Sequence, residues 1–144
     1  MKLLGSLAAA GIVACSPAFA QTIGSCPAGV GSAPQSQPAW VLFDLGSAEL
    51  KGEAKPAIAK AAQAAKVRQA TKVCVIGQTD KLGDKNYNAK LAQARSQAVA
   101  AELMRNGLAA NTVVIASNPE AFGNLSFGGA DAQTRDRRVT IVFR

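Results

Sequence analysis

The sequence predicts an α+β fold, a β-α-β-α-β-β two-layer sandwich in which a mixed sheet is covered by two helices. Three observations predict it. Four short runs rich in β-branched and aromatic residues, at 40–43, 72–77, 112–116 and 138–143, have strand composition. Two Ala-rich stretches, at 54–70 and about 87–106, separate the first three runs and have helix composition. Helices that follow strands imply parallel crossovers, and the last two runs succeed each other without a helix between them.

Each element has its own signals. Trp40, Val41, Leu42 and Phe43 form an apolar run that ends at Asp44 and Gly46, with Trp40 expected as a core anchor. In the first helix Pro56 lacks an N–H donor and fits only the first turn. The run KVCVIG at 72–77 is continuously apolar, as a central strand buried on both faces should be. Residues 84–88 read as a polar loop leading into the second helix, and Gly107 stands where that helix needs a left-handed cap. Residues 118–134 read as a long loop. In the closing run Val139, Ile141 and Phe143 alternate onto one face.

Domain organisation follows from what precedes position 39. Residues 1–20 carry Lys2, a short apolar run, Pro17 and the small residues Ala18 and Ala20, which is the pattern of a secretory signal peptide cut before Gln21. The apolar run is too short to span a bilayer as a helix, which takes ~20 residues. A second parse fits the same stretch: Ile12-Val13-Ala14-Cys15 resembles a lipobox, which would place lipidation on Cys15 and associate the protein with the outer membrane. Residues 21–38 are rich in Gly, Ser, Pro and Gln and read as a flexible linker, leaving 39–144 as the folded domain.

Composition limits the function. Of 144 residues 49% are hydrophobic and 17% charged, which is the composition of a folding chain. The complete lack of His removes His-dependent triads, the usual His-containing zinc sites and the commonest general base. No Ser or Cys has a recognisable base partner, so the chain does not read as an enzyme, and neither a cofactor nor a metal is expected. The net charge is +7, but the cations are spread along the chain without a basic-aromatic motif, and export speaks against a nucleic-acid partner. Loss of the signal peptide leaves two cysteines, Cys26 and Cys74. In an oxidising compartment they either form one disulfide or remain a linker thiol and a buried small hydrophobe.

The informative stretch is GQTDKLGDKNYNAKLAQARS at 77–96. Thr79 and Asp80 follow the C-terminal end of the central strand. Asn88 and Arg95 are seven residues apart on the next helix, hence about 20° apart around its axis and on one face. With Leu91 between them, that face looks toward the sheet, an unexpected place for a merely solvated Arg. Its natural partner is the Asp80 carboxylate, or a ligand between the two. Taken without any family pattern, a structural ion pair explains these residues as well as a binding site does.

The same stretch resembles the OmpA-like C-terminal domain family, the peptidoglycan-binding module of envelope proteins. The family pattern stands here as Gly77, Gln78, Thr79, Asp80, Gly83, Asn88, Leu91 and Arg95, with Phe43-Asp44 at its opening and Asp136, Arg137, Arg138 and Val139 at its close. The resemblance covers residues 40–144. It departs from the pattern at Gln78 for the usual His, Ala92 for a common Ser and Asp136 for a common Asn.

The resemblance implies non-enzymatic binding of the diaminopimelate residue of peptidoglycan stems. Asp80 would take the ligand's ammonium and Arg95 its carboxylate, with Thr79, Asn88 and Arg137 lining the pocket. A zwitterion needs one anion and one cation at fixed separation, and Arg offers a planar fork that pairs a carboxylate bidentately. The implied location is the periplasm or the periplasmic face of the outer membrane. The alternative is a periplasmic protein-interaction domain of the same fold, with protein partners and without the cell-wall ligand.

Overall fold

The computed structural model describes residues 22–23, 26, 39–78, 84–116 and 137–144. Its elements in chain order are β1 (Thr22–Ile23), β2 (Ala39–Leu42), α1 (Ala54–Val67), β3 (Val73–Gly77), α2 (Lys85–Arg105), β4 (Val113–Ala116) and β5 (Arg138–Phe143). The strands form one mixed sheet in the order β1-β4-β3-β5-β2. β3 and β4 are parallel, joined by the α2 crossover, whereas β5 runs antiparallel to both β3 and β2. The last strand is thus inserted between the first two strands of the expected domain, so β2 and β3 point the same way without being neighbours. The two-layer α+β architecture is the one the sequence predicts, with one strand added at its N-terminal edge.

Both helices cover the same face of the sheet. Ile58, Ala61 and Ala65 of α1 and Val99, Ala100 and Leu103 of α2 meet Val41, Phe43, Val73, Val75, Val113, Ile115, Val139 and Ile141 in one core. On the opposite face a smaller cluster gathers Cys74, Ile76, Ala116 and Val142, with Cys26 packed against it. Every residue of β3 is buried, as its unbroken apolar run requires.

Local chemistry sets the helix ends. Pro56 lies in the first turn of α1, where its missing donor costs nothing. α2 begins at Lys85, two residues before the expected start, because the Asp84 carboxylate accepts a bond from the Tyr87 N–H at 2.8 Å and caps the helix. At its other end Gly107 adopts φ +92°, its N–H bonds the Met104 carbonyl, and the Leu108 N–H bonds the Leu103 carbonyl. α1 closes in the same manner, but Gln69 occupies the left-handed position at φ 52°.

Two expectations are corrected. The segment read as a linker is joined to the sheet at its beginning: Thr22–Ile23 pairs in parallel with Val114 and Ile115, and Cys26 is disulfide-bonded to Cys74, with Cα atoms 5.9 Å apart. A two-residue strand held by backbone bonds needs no hydrophobic run of its own. Trp40 is not a core anchor. Its side chain is 57% exposed, because β2 is an edge strand with only its helix-facing residues covered. The expected signal peptide with Cys15, and the expected loop at 118–134, lie outside the described residues.

Candidate functional site

The site forms where the end of β2, the first half of α2 and the start of β5 converge. Gly77 ends β3 directly beneath α2. A Cβ there would lie 2.5 Å from Ser96 Oγ and 2.6 Å from the Ala92 carbonyl oxygen, so only glycine lets the helix approach this closely. That approach carries Arg95, on the same helical face as Ala92 and Ser96, into the protein.

Arg95 is 2% exposed. Its Nε donates to the Ser47 carbonyl at 2.8 Å and its Nη2 to the Asp44 carbonyl at 2.9 Å. The guanidinium lies over the Phe43 ring, 5.4 Å from its centroid. Two main-chain oxygens and an aromatic face therefore fix its orientation. Among the described residues no carboxylate lies within ion-pair distance of it. Burial pushes its pKa below the ordinary arginine range, the nearby Arg137 pushes it further down, and Tyr87 acts in the opposite sense. It remains protonated at neutral pH. Among the described residues two guanidinium groups thus share one region.

Arg95 faces the sheet, as its helical position predicts. Its partners among the described residues are main-chain carbonyls, which leave no trace in a sequence. Asn88 is half-buried on the first turns of α2, and Arg137 is half-buried just before β5, close enough to Arg95 to act on its charge. Thr79 and Asp80, together with Asp136, lie outside the described residues. Asp44 contributes its carbonyl to Arg95, while its carboxylate makes a solvent-exposed ion pair with Lys51 at 3.7 Å. Gln78 accepts a hydrogen bond from Arg138 Nε on the other face of the sheet. Tyr87 is exposed beside the loop that follows β2, its hydroxyl 3.7 Å from where a Cβ on Gly46 would stand. Phe43, Asp44 and Ser47 are the contacts that residue spacing alone does not reveal.

Among the described residues no group of three or more His, Cys, Asp and Glu is arranged to hold a metal, and no helix is long and apolar enough to cross a membrane. Residues 42–139 match the profile of the OmpA family. The chain is 29% identical over 100 residues to Outer membrane protein A of Bordetella avium, covering 69% of this chain and 52% of that protein. It is 33% identical over 109 residues to an outer membrane protein of Gluconacetobacter diazotrophicus, covering 71% of this chain and 29% of that one. The chain therefore spans about half or less of these curated relatives. In three dimensions it is similar to the peptidoglycan-associated lipoprotein from Burkholderia pseudomallei, with TM-score 0.63 and 25% identity over 74% of this chain and 90% of that one.

Proposed function

The chain belongs to the OmpA family, and from that membership we propose that it binds peptidoglycan non-covalently, through the diaminopimelate of the stem peptide, and so tethers the cell envelope. The domain is a binding module rather than an enzyme, as its family and fold relatives are. The observation that carries the reading is the buried Arg95 guanidinium, held in one orientation by the Asp44 and Ser47 carbonyls with Arg137 beside it. A fixed, desolvated cation is a receptor for a carboxylate, because its alignment is already in place when the ligand arrives. Asp80 supplies the matching anion for the ligand's ammonium, and Thr79 and Asn88 line the pocket between them. Lysines spread over the surface add weak attraction to an acidic polymer. The periplasm, or the periplasmic face of the outer membrane, is the compartment where this ligand is found. The relatives named outer membrane proteins support that location.

Retention on purified sacculi tests the proposal, with wild type beside Asp80→Asn and Arg95→Ala. Wild type is expected to be retained, and each variant to lose ~2–5 kcal/mol of binding, the cost of truncating one side of a desolvated charge contact. Free diaminopimelate should displace wild type, whereas lysine blocked at its α-amino and α-carboxyl groups, whose free end is an amine without a carboxylate, should not. Sacculi with lysine in place of diaminopimelate should retain none. Equal retention of all three proteins on both kinds of sacculi would replace the proposal with nonspecific charge attraction. Lack of retention would leave a protein-interaction domain.

A further inference from the structure

On the face of the sheet opposite Arg95 an aromatic side chain is held in place and left uncovered. Trp40 is 57% exposed and Leu42, two residues along the same strand, is 59% exposed. Arg138 stands opposite Leu42 in the β2–β5 register and diagonal to Trp40, and its guanidinium lies over the indole, 5.4 Å from the ring centroid. Its Nε donates to Gln78 Oε1, so the cation that covers one side of the indole is itself anchored to the strand end. Burying a Trp is the default use of its large apolar surface. Here an exposed one is instead overlain by Arg138, which Gln78 at the neighbouring strand end anchors.

This platform adjoins the site already described. Gln78 immediately precedes Thr79 and Asp80, and Arg138 immediately follows Arg137. Because strand side chains alternate, 77 and 137 belong to the helix side of the sheet end and 78 and 138 to the other. Arg137 and Arg138 are chain neighbours at one sheet end, so a polymer held at Arg95 meets the Trp40 face by passing round that end. The pyranose rings of such a polymer present flat arrays of C–H groups to an indole face, with hydroxyl and N-acetyl groups at the rim for Arg138 and Gln78. The patch suits a sugar better than a lipid or a protein core, because the polar groups of Gln78 and Arg138 border its apolar area.

We infer that Trp40, backed by Arg138 and Gln78, stacks on a sugar ring of the glycan strand that carries the bound stem peptide. The inference rests on the proposed stem-peptide site. Trp40 is the single tryptophan of the chain, so its fluorescence reports on this position alone. The experiment titrates the full mature protein with two probes: stem peptide freed from sugar by amidase, and the disaccharide-stem peptide released by muramidase. Binding is followed by calorimetry and by indole emission.

The disaccharide-peptide is expected to bind about tenfold more tightly than the free peptide and to shift the Trp40 emission, which the free peptide leaves nearly unchanged. Trp40→Ala should level the two affinities at that of the free peptide, and Trp40→Phe should keep part of the difference. Circular dichroism checks that both variants fold. Equal affinities and an unmoved emission would overturn the inference while the stem-peptide site stands. A Trp40 shift with affinity indifferent to Arg95→Ala would overturn the stem-peptide site and keep the platform. Binding of neither probe would overturn both. An emission shift on anionic phospholipid vesicles, with none on the disaccharide-peptide, would replace the sugar with a membrane surface.

Discussion

Gly77→Ala is the substitution by which the close approach of α2 to β3 can be measured. The added Cβ would stand 2.6 Å from the Ala92 carbonyl oxygen and 2.5 Å from Ser96 Oγ. Ordinary contact for such an atom begins near 3.4 Å, so the helix backbone has to retreat by about 0.8 Å. A hydroxyl can rotate away, but a carbonyl within a helix cannot. The retreat loosens the contacts of Ala92, Val99 and Leu103 with the sheet, and overpacking of this kind costs about 2–3 kcal/mol. For a domain of this size that lowers Tm by about 10 °C. It also draws Arg95 away from the Asp44 and Ser47 carbonyls. Urea unfolding followed by far-ultraviolet circular dichroism is the suitable assay, since the exposed Trp40 reports poorly on the core. Ser96→Ala in the Gly77→Ala background removes the hydroxyl and leaves the Ala92 carbonyl, so it should recover less than half of the loss. Stability of Gly77→Ala within about 0.5 kcal/mol of wild type, or full recovery by Ser96→Ala, would mean that the helix backbone does not rest on Gly77.

Gln69→Gly should raise stability by about 0.5–1 kcal/mol in urea unfolding, because the left-handed position closing α1 strains any side chain. Replacing Cys26 and Cys74 together by Ala should cost ~2–4 kcal/mol, the loop-closure entropy of a bridge spanning 48 residues, read by the same assay without reductant. Arg95→Met should change stability by no more than about 2 kcal/mol, as the lost carbonyl bonds are offset by relief of a desolvated charge. Its retention on sacculi should fall more than about thirtyfold, and global unfolding of this variant would make Arg95 a clamp of the loop rather than a ligand group. The downward shift of the Arg95 pKa means that the fold disfavours its protonated form. That cost is constant below the folded pKa and is relieved only in strong alkali, so retention should stay level between about pH 6 and 9 and fall under about pH 4 as carboxylates protonate.

The parts of the fold that the sequence discloses are those whose physics is local. The β-branched runs of β3, β4 and β5 place their strands to within one residue, since burial on two faces leaves no polar alternation to blur them. Gly107 marks the end of α2 because one backbone conformation needs that residue. The errors fall where a distant group decides. Trp40, Val41, Leu42 and Phe43 are equally apolar, and only the position of β2 at the sheet edge determines that Trp40 and Leu42 stay exposed. β1 consists of two residues whose pairing rests on main-chain bonds to β4. Helical arithmetic finds the face of Arg95 but not its partners, because the Asp44 and Ser47 carbonyls belong to the backbone and carry no side-chain signature.

The register of β5 ties these features together. Val139 pairs with Gly77, and the Gln78 N–H bonds the Arg138 carbonyl, so the two arginines fall on opposite sides of the sheet end. A slip of one residue would put Arg138 beside Arg95 and turn Val139, Ile141 and Phe143 away from the helices. The buried helix-facing core forbids that slip, which means that hydrophobic packing remote from the site decides which arginine meets the buried guanidinium and which meets the indole. Arg137 then lies close enough to Arg95 to push its pKa down, after the larger effect of burial. The placement of the two guanidinium groups is thus the work of a sheet whose register is set by valine, isoleucine and phenylalanine.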